Sequence, residues 1–266
     1  MYWTDIFRFP RSNEYEIKYA GRYGAKGEKR QKREKATPDQ IAKQNQLNRE
    51  KKYRRLIKAN FIENDLWITV KYPKGTKKTI TEVKDDVKAL LDSARKKYKK
   101  QGEKLKFIRR LEIGSKGGIH IHLLVNRIRG ADLMIQKEWM KITGGRTHYE
   151  SLYEQGGYEK LAAYIVKKPE QESEEYKQLS LFNDDDQREL LRVSTSRNLI
   201  RPVPERKIYY RRTLRDLIEN GPKPTPGYYI DKSSIRTGIN RYTGMSYYYY
   251  SEYLIKTESE EMEGYG

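Results

Sequence analysis

The chain has 266 residues, no cysteine, and 56 Lys and Arg against 37 Asp and Glu, giving a formal net charge of +19 and a sequence pI near 9.7. Without cysteine there is no disulfide, thiolate metal site or cysteine nucleophile. No apolar run approaches the roughly 20 residues that span a bilayer, and the start Met1-Tyr2-Trp3-Thr4-Asp5 lacks the basic-then-apolar order of a secretion signal. So large a positive excess calls for a polyanion, and nucleic acid rather than a membrane surface is the expected partner.

Residues 1–60 hold 17 Lys and Arg against 7 Asp and Glu, so +10 of the charge lies there. Residues 20–36, rich in Gly, Lys and Arg, read as a flexible basic arm. Thr37-Pro38-Asp39 then opens a helix, with a Thr N-cap, Pro at the first helical position and an acid at the positive dipole end. That helix runs to about Asn60. It is mostly polar and carries Lys51, Lys52, Arg54, Arg55 and Lys58 near its end, which suits a helix lying along a phosphate backbone.

From Leu66 to Lys168 the pattern becomes that of a folded domain. Residues 66–72 alternate as a strand and end in the turn Pro73-Lys74-Gly75. Val83, Val87, Leu90, Leu91 and Ala94 fall at helical spacing over 81–99. Strands follow over 105–113 and 118–126, then a short helix over 131–141, a strand over 146–152 and a helix over 158–168. The order β-α-β-β-α-β-α predicts an α+β fold, an antiparallel sheet with helices packed on it. Residues 170–190 are acidic without clear period and read as a connector. Residues 191–266 read as a basic, Tyr-rich extension, with a basic helix near 205–219, a Pro/Gly-rich segment at 221–227 and four tyrosines at 247–250. The chain has 23 tyrosines, a residue that stacks on bases, bonds to phosphates or lines wet interfaces. No GxxxxGK[ST] loop occurs, so a nucleotide-driven motor is not expected in this chain.

Two of the three histidines lie in the strand Gly118-Ile119-His120-Ile121-His122-Leu123. With period 2, His120 and His122 share one face, and Ile119, Ile121, Leu123 and Val125 share the other. Two neighbouring imidazoles on a rigid element make a metal-binding arrangement, and a hard divalent ion also asks for a carboxylate. A hairpin through Gly114–Gly118 would set Glu112 opposite His120, with Cβ atoms about 4.5–5.5 Å apart; a slip of one residue would turn Glu112 away. Glu112, His120 and His122 then suit Mn or Mg, in an open site able to polarise a phosphodiester. The helix over 158–168 offers a nucleophile, Tyr164, with Lys167 or Lys168 on the same face. An adjacent ammonium and a metal would favour phenolate. Leu161, Ala162 and Ile165 form the expected buried stripe. His148 reads as a surface or structural residue.

The run from Gly118 to Leu124 resembles the His-hydrophobic-His motif of the HUH endonuclease superfamily, and Tyr164-Ile165-Val166-Lys167 resembles its Tyr-x-x-Lys motif. The resemblance covers roughly residues 60–170 and is to rolling-circle replication initiators. It implies a ferredoxin-like sheet with the His motif on a central strand. It also implies a metal-dependent nick in single-stranded DNA at an origin, in which Tyr164 joins to the 5′ phosphate and a free 3′-hydroxyl primes synthesis. His-x-His precedes the tyrosine, as in replication initiators, whereas conjugative relaxases place the tyrosine first. Positions 160, 161, 167 and 168 are Lys, Leu, Lys and Lys, so a single catalytic tyrosine is expected.

The stretches 37–60 and Ser196-Arg197-Asn198-Leu199 also resemble parts of plasmid initiators of Gram-positive bacteria. Lys51, Arg54, Arg55, Lys168 and Arg197 are accordingly the expected DNA contacts. The implied partners are single-stranded or hairpin origin DNA and host replication proteins, including a separate helicase, in a bacterial cytoplasm. The domains read as a DNA-contacting extension (1–60), a nicking domain (61–169), a connector (170–190) and a C-terminal extension (191–266). Two alternatives stay open. One is a relaxase or single-strand transposase with the same chemistry; the other is a basic nucleic-acid-binding protein in which the His pair is structural.

Overall fold

The computed structural model describes residues 1–21, 28–153, 155–211 and 213–255. They form two compact units, one of residues 1–44 with 202–266 and one of residues 45–201. The chain opens with β1 (Tyr2–Arg8) and β2 (Ser12–Tyr19), which form a hairpin, and continues into α1 (Pro38–Asn60). Thr37 caps α1 as its sequence predicts. Gln40 N–H donates to Thr37 Oγ1 (3.3 Å) and Thr37 N–H to Gln40 Oε1 (3.0 Å), a reciprocal capping box. The helix is largely exposed and buries Leu56, Ile57, Lys58 and Asn60 at its end.

The unit 45–201 carries β3 (Leu66–Lys71), α2 (Ile80–Lys100), β4 (Phe107–Ile113), β5 (Ile119–Val125), α3 (Ala131–Thr143) and β6 (Arg146–Ser151). This is the βαββαβ order of a ferredoxin-like fold. All neighbours pair antiparallel, in the spatial order β6-β3-β5-β4, so the histidine strand is interior. Val83, Val87, Leu90, Leu91 and Ala94 of α2 bury against Ile121 and Leu123 on one face of the sheet. Leu124 and Ile108 on the other face pack with Leu56 and Ile57 of α1 and with Ala162, Ile165 and Val166 of α4 (Glu159–Val166). The histidine-bearing face is therefore half roofed, and His122 is only 6% exposed.

The acidic stretch after Pro169 is not a bare connector. It forms α5 (Glu174–Ser180) and α6 (Asp184–Leu190), capped by Ser173 and Asn183. Each sinks one leucine, Leu179 and Leu190, into the first core. Helices of seven residues with one anchor apiece leave no period to detect. β7 (Val193–Thr195) then pairs with β4, so the unit ends at Arg201 rather than at 169. Ser196 docks this segment: its N–H donates to the Phe107 carbonyl (2.9 Å) and its Oγ accepts from the Phe107 N–H (3.0 Å). Buried Asn60 clamps Ile200, donating to its carbonyl and accepting from its N–H, both at 2.7 Å.

The first unit is completed by β8 (Glu205–Tyr209), α7 (Arg215–Asn220), β9 (Tyr228–Asn240) and β10 (Met245–Leu254), giving an antiparallel sheet in the order β8-β1-β2-β10-β9. Residues 1–19 are thus inner strands of a sheet and not part of an arm. Residues 22–27 of the expected arm lie outside the described residues, while Gln31 and Glu34 donate to the Gly244 and Arg241 carbonyls. The basic helix expected near 205–219 resolves into a strand and a short helix. Pairing with β1, two hundred residues away in sequence, overrides the local composition. Arg206 there grips buried Asp5 bidentately, at 2.6 and 2.9 Å. Glu252, fully buried, accepts from Asn13 Nδ2 (2.7 Å), the Tyr15 hydroxyl (2.8 Å) and the Thr225 N–H (3.0 Å). Among the described residues no helix is long and apolar enough to cross a membrane.

The turn from α3 to β6 admits no side chain at Gly145. A Cβ there would collide with the Lys71 carbonyl oxygen and stand 2.5 Å from Trp139 Nε1, whose N–H donates to that oxygen (2.9 Å). Gly145→Ala is expected to cost about 2–4 kcal/mol, read by thermal denaturation as a Tm lower by roughly 5–12 °C. An unaltered melting curve would refute this turn.

Candidate active site

Strand register builds the site. Glu112 pairs with His120 across β4 and β5, as the hairpin predicts, and Arg110 pairs with His122. On the other side of β5, Thr69 of β3 lies opposite His122. The carboxylate reaches diagonally, however: Glu112 Oε2 is 2.6 Å from His122 Nε2, not against His120. Thr69 Oγ1 is 3.1 Å from His122 Nδ1. Trp67, two residues before Thr69, stacks on the His122 ring at 5.4 Å with planes 7° apart. His122 is thereby held on three sides.

The third member arrives on α4. The Tyr164 hydroxyl donates to Glu112 Oε2 at 2.7 Å and lies 3.1 Å from His122 Nε2. Its ring meets both His122 and Trp67 edge-on. An isolated helix of eight residues is too short to be stable by itself, so α4 depends on clamps. Its last carbonyls, which lack helical partners, accept from side chains. Arg110 NH1 donates to Tyr164 O (2.7 Å) and Ile165 O (3.2 Å), and Gln46 donates to Val166 O (3.3 Å). Arg54 pairs with Glu159 in the first turn at 2.7 Å. Arg110 is 4% exposed and stands beside the phenol. Sequence reasoning missed it. The available signal was an arginine at alternate spacing from Glu112 on the same strand face.

Lys167, expected at i+3 on the same helical face, lies just past the end of α4 with extended backbone and is exposed. The chain leaves the helix before Pro169, whose ring disfavours helical backbone in the preceding residue. Lys167 instead lines, with Arg110 and Glu112, a cavity of about 200 Å³. Lys168 and Arg197 are also exposed. Arg54 is committed to Glu159, and Lys51 and Arg55 are half-buried. His148 is exposed on β6, 3.1 Å from Glu150.

Electrostatics follow from these contacts. Burial pushes the Glu112 carboxyl up, but hydrogen bonds from His122 and Tyr164, with the charges of His122 and Arg110, outweigh it and hold the group at about 2. Burial also pushes the Tyr164 phenol above its ordinary range, and its bond to Glu112 adds to the rise; Arg110 offsets part of it. In this arrangement Tyr164 is a neutral donor. Burial lowers His120, with Lys71 and His122 adding repulsion. An ionised carboxylate only accepts, so His122 Nε2 carries the proton shared with Glu112 and its Nδ1 accepts from the Thr69 hydroxyl.

A divalent ion fits the donor chemistry but not the present spacing. Two donors about 2.1 Å from one ion at a right angle lie roughly 3.0 Å apart, whereas Glu112 and His122 stand 2.6 Å apart as a hydrogen-bonded pair. Among the described residues no three His, Cys, Asp or Glu side chains are gathered closely enough to hold a metal. His120 is half-buried, and its ring lies where a Cβ on Gly114 would stand 3.2 Å from it. Exchanging the shared proton for a cation needs the pair to open by a few tenths of an ångström and His122 to take the other tautomer. The Thr69 hydroxyl can turn from donor to acceptor to satisfy that.

A family model described as a replication-associated protein of the ORF2 type matches residues 65–169, less than half of the chain. That span runs from the residue before β3 to just beyond Tyr164 and Lys167, and the match supports a role in replication. No curated protein matches the chain, and no solved structure matches it.

Because the Glu112 carboxyl is depressed, its contribution to stability is present above its ordinary 4.5 and is lost as pH falls toward 2. Chemical denaturation of metal-free protein across pH 2–5 is expected to show this acid limb, and Glu112→Gln to make it shallower. Superimposable limbs would contradict the hydrogen-bonded carboxylate.

Proposed function

We propose that the protein nicks and joins single-stranded DNA at a replication origin, with Tyr164 as nucleophile. The observation that carries this reading is one cluster, in which the Tyr164 hydroxyl lies within 2.7 Å of Glu112 and 3.1 Å of His122. The cluster sits on the strand face that a replication-associated family model spans. The phenolic oxygen attacks a backbone phosphorus, an O–P bond forms to the 5′ side, and the departing 3′ oxygen leaves as the hydroxyl that primes synthesis. Glu112, His122 and His120 would hold a divalent cation, Mn or Mg, which when bound acts as a Lewis acid on the phosphodiester.

The chain's own residues divide the remaining work. Glu112 and His122 bring two donors to one point, and Thr69 and Trp67 fix the plane of His122. Arg110 fixes the end of α4 and so the place of Tyr164. Lys167, on the cavity shared with Arg110 and Glu112, faces the charge that grows on phosphate. A carboxylate near 2 is a poor acceptor for a phenolic proton. The closed triad is therefore a resting arrangement, and Tyr164 must leave Glu112 before it attacks. Single-stranded or hairpin origin DNA is the substrate. Strand separation falls to a separate helicase, since this chain carries no nucleotide-binding loop.

Labelled single-stranded origin DNA incubated with the protein and Mn is expected to give a denaturation-resistant covalent adduct. Tyr164→Phe and a chelator should each abolish it. A shifted native band without any adduct would leave only a binding protein with a structural histidine. Lys167→Ala is expected to slow adduct formation at least about tenfold while leaving DNA affinity within about twofold. Equal loss of rate and affinity would make Lys167 a binding contact only.

A further inference from the structure

The tyrosines of the unit formed by residues 1–44 and 202–266 divide between the two faces of its sheet. On one face Tyr248 is buried, and Tyr250 stacks on Tyr15 at 4.5 Å with planes 4° apart. Tyr15 in turn bonds to buried Glu252. These rings belong to the core, where α7 adds Leu214 and Leu217.

The alternate positions of β10, Tyr247, Tyr249 and Tyr253, point to the opposite face. Tyr253 pairs in register with Tyr229 of β9, and their rings lie 6.1 Å apart. Tyr247 and Tyr249 lie 5.1 Å apart. All four rings are at least partly open to solvent, and Tyr229 is 52% exposed. Gly238 faces Tyr247 in register, and a Cβ on it would stand 3.3 Å from the Tyr247 hydroxyl oxygen, so the missing side chain lets that ring lie flat across β9. Two aromatic pairs are thus set roughly 13 Å apart along one strand.

Charge accompanies them. Arg236 stands opposite Tyr249, and Lys232, Arg236 and Arg241 are all exposed on β9 and its turn. Of the nearby acids, Glu252 is fully buried and Asp231 accepts from the Ser233 N–H and hydroxyl. Exposed rings with cations interleaved and acids withdrawn form a surface complementary to a polyanion that offers flat apolar faces.

We infer that this exposed face of the β9–β10 hairpin is a stacking platform for unpaired bases of single-stranded DNA. Duplex DNA keeps its base faces covered and can offer this surface only phosphates. Unpaired bases can lie on the four rings without sequence preference, because every base has a π-face. The inference deepens the DNA-nicking reading, since it gives the strand handled at Tyr164 a second point of attachment on the same chain.

The test uses the full chain in a Tyr164→Phe background without divalent metal, so binding is read apart from chemistry. The probes are a fluorescein-labelled oligo-dT 20-mer and a duplex of equal length. Tyr247→Ala with Tyr249→Ala is expected to weaken oligo-dT binding about tenfold or more and to change duplex binding less than about twofold. Phenylalanine at both positions should restore it. Photocrosslinking of oligo-5-iodo-dU to wild-type protein should label peptides within residues 228–254, a readout independent of variant folding. Unchanged oligo-dT affinity, equal loss for both probes, or crosslinks confined to residues 45–201 would each overturn the platform. So would a changed oligomeric state with oligo-dT binding intact. Loss of the nicking reading would show differently, as wild-type protein that binds oligo-dT and never forms an adduct.

Discussion

The whole candidate site depends on how β5 pairs with its two neighbours. An antiparallel ladder fixes which residues share a face, and a shift of one position would carry Thr69 and Glu112 to the face that α2 and α3 cover. The register is secured by burial and not by the polar groups themselves. Ile121, Leu123, Val70 and Leu111 are all 1% exposed or less within one core, so a slipped ladder would turn apolar side chains out of it. The chemistry on one side of the sheet is held in place by the hydrophobic effect on the other.

That arrangement makes His122 more constrained than a half-open strand would suggest. Trp67 stacks on it, Thr69 reaches one nitrogen and Glu112 the other. The tyrosine is held by a longer route. Arg110 leaves the strand beside Glu112 and reaches the carbonyls at the end of α4, so strand and helix are joined by a charge-assisted bond next to the phenol. A buried arginine with its donors on carbonyl oxygens is costly to displace. Its removal would free α4 at the end that carries Tyr164.

The other unit is assembled from both ends of the sequence. β1 and β2 sit between strands contributed by residues 205–209 and 228–254. The pairs Asp5 with Arg206 and Asn13 with Glu252 cross the sheet between segments some two hundred residues apart. Removing residues 1–60 would therefore take two inner strands from that sheet and the Leu56–Ile57 contact from the core of the unit 45–201. It would not be the removal of an appendage.

Periodicity and caps alone determined a good deal. The helix from Pro38 to Asn60, the βαββαβ order, the placing of His120 and His122 on one face and the pairing of Glu112 with His120 follow from side-chain period, turn chemistry and hairpin loop length, all of which are local. Tertiary structure decided the rest. Glu112 reaches His122 diagonally, Arg110 rather than Lys167 is the cation beside Tyr164, residues 170–190 fold onto the core, and the tyrosines of β10 divide between a core face and an open one. Each of these depends on which distant strand or helix comes to lie alongside. Such pairing is set by long-range burial and ladder bonding, which leave no periodic trace in the residues that take part.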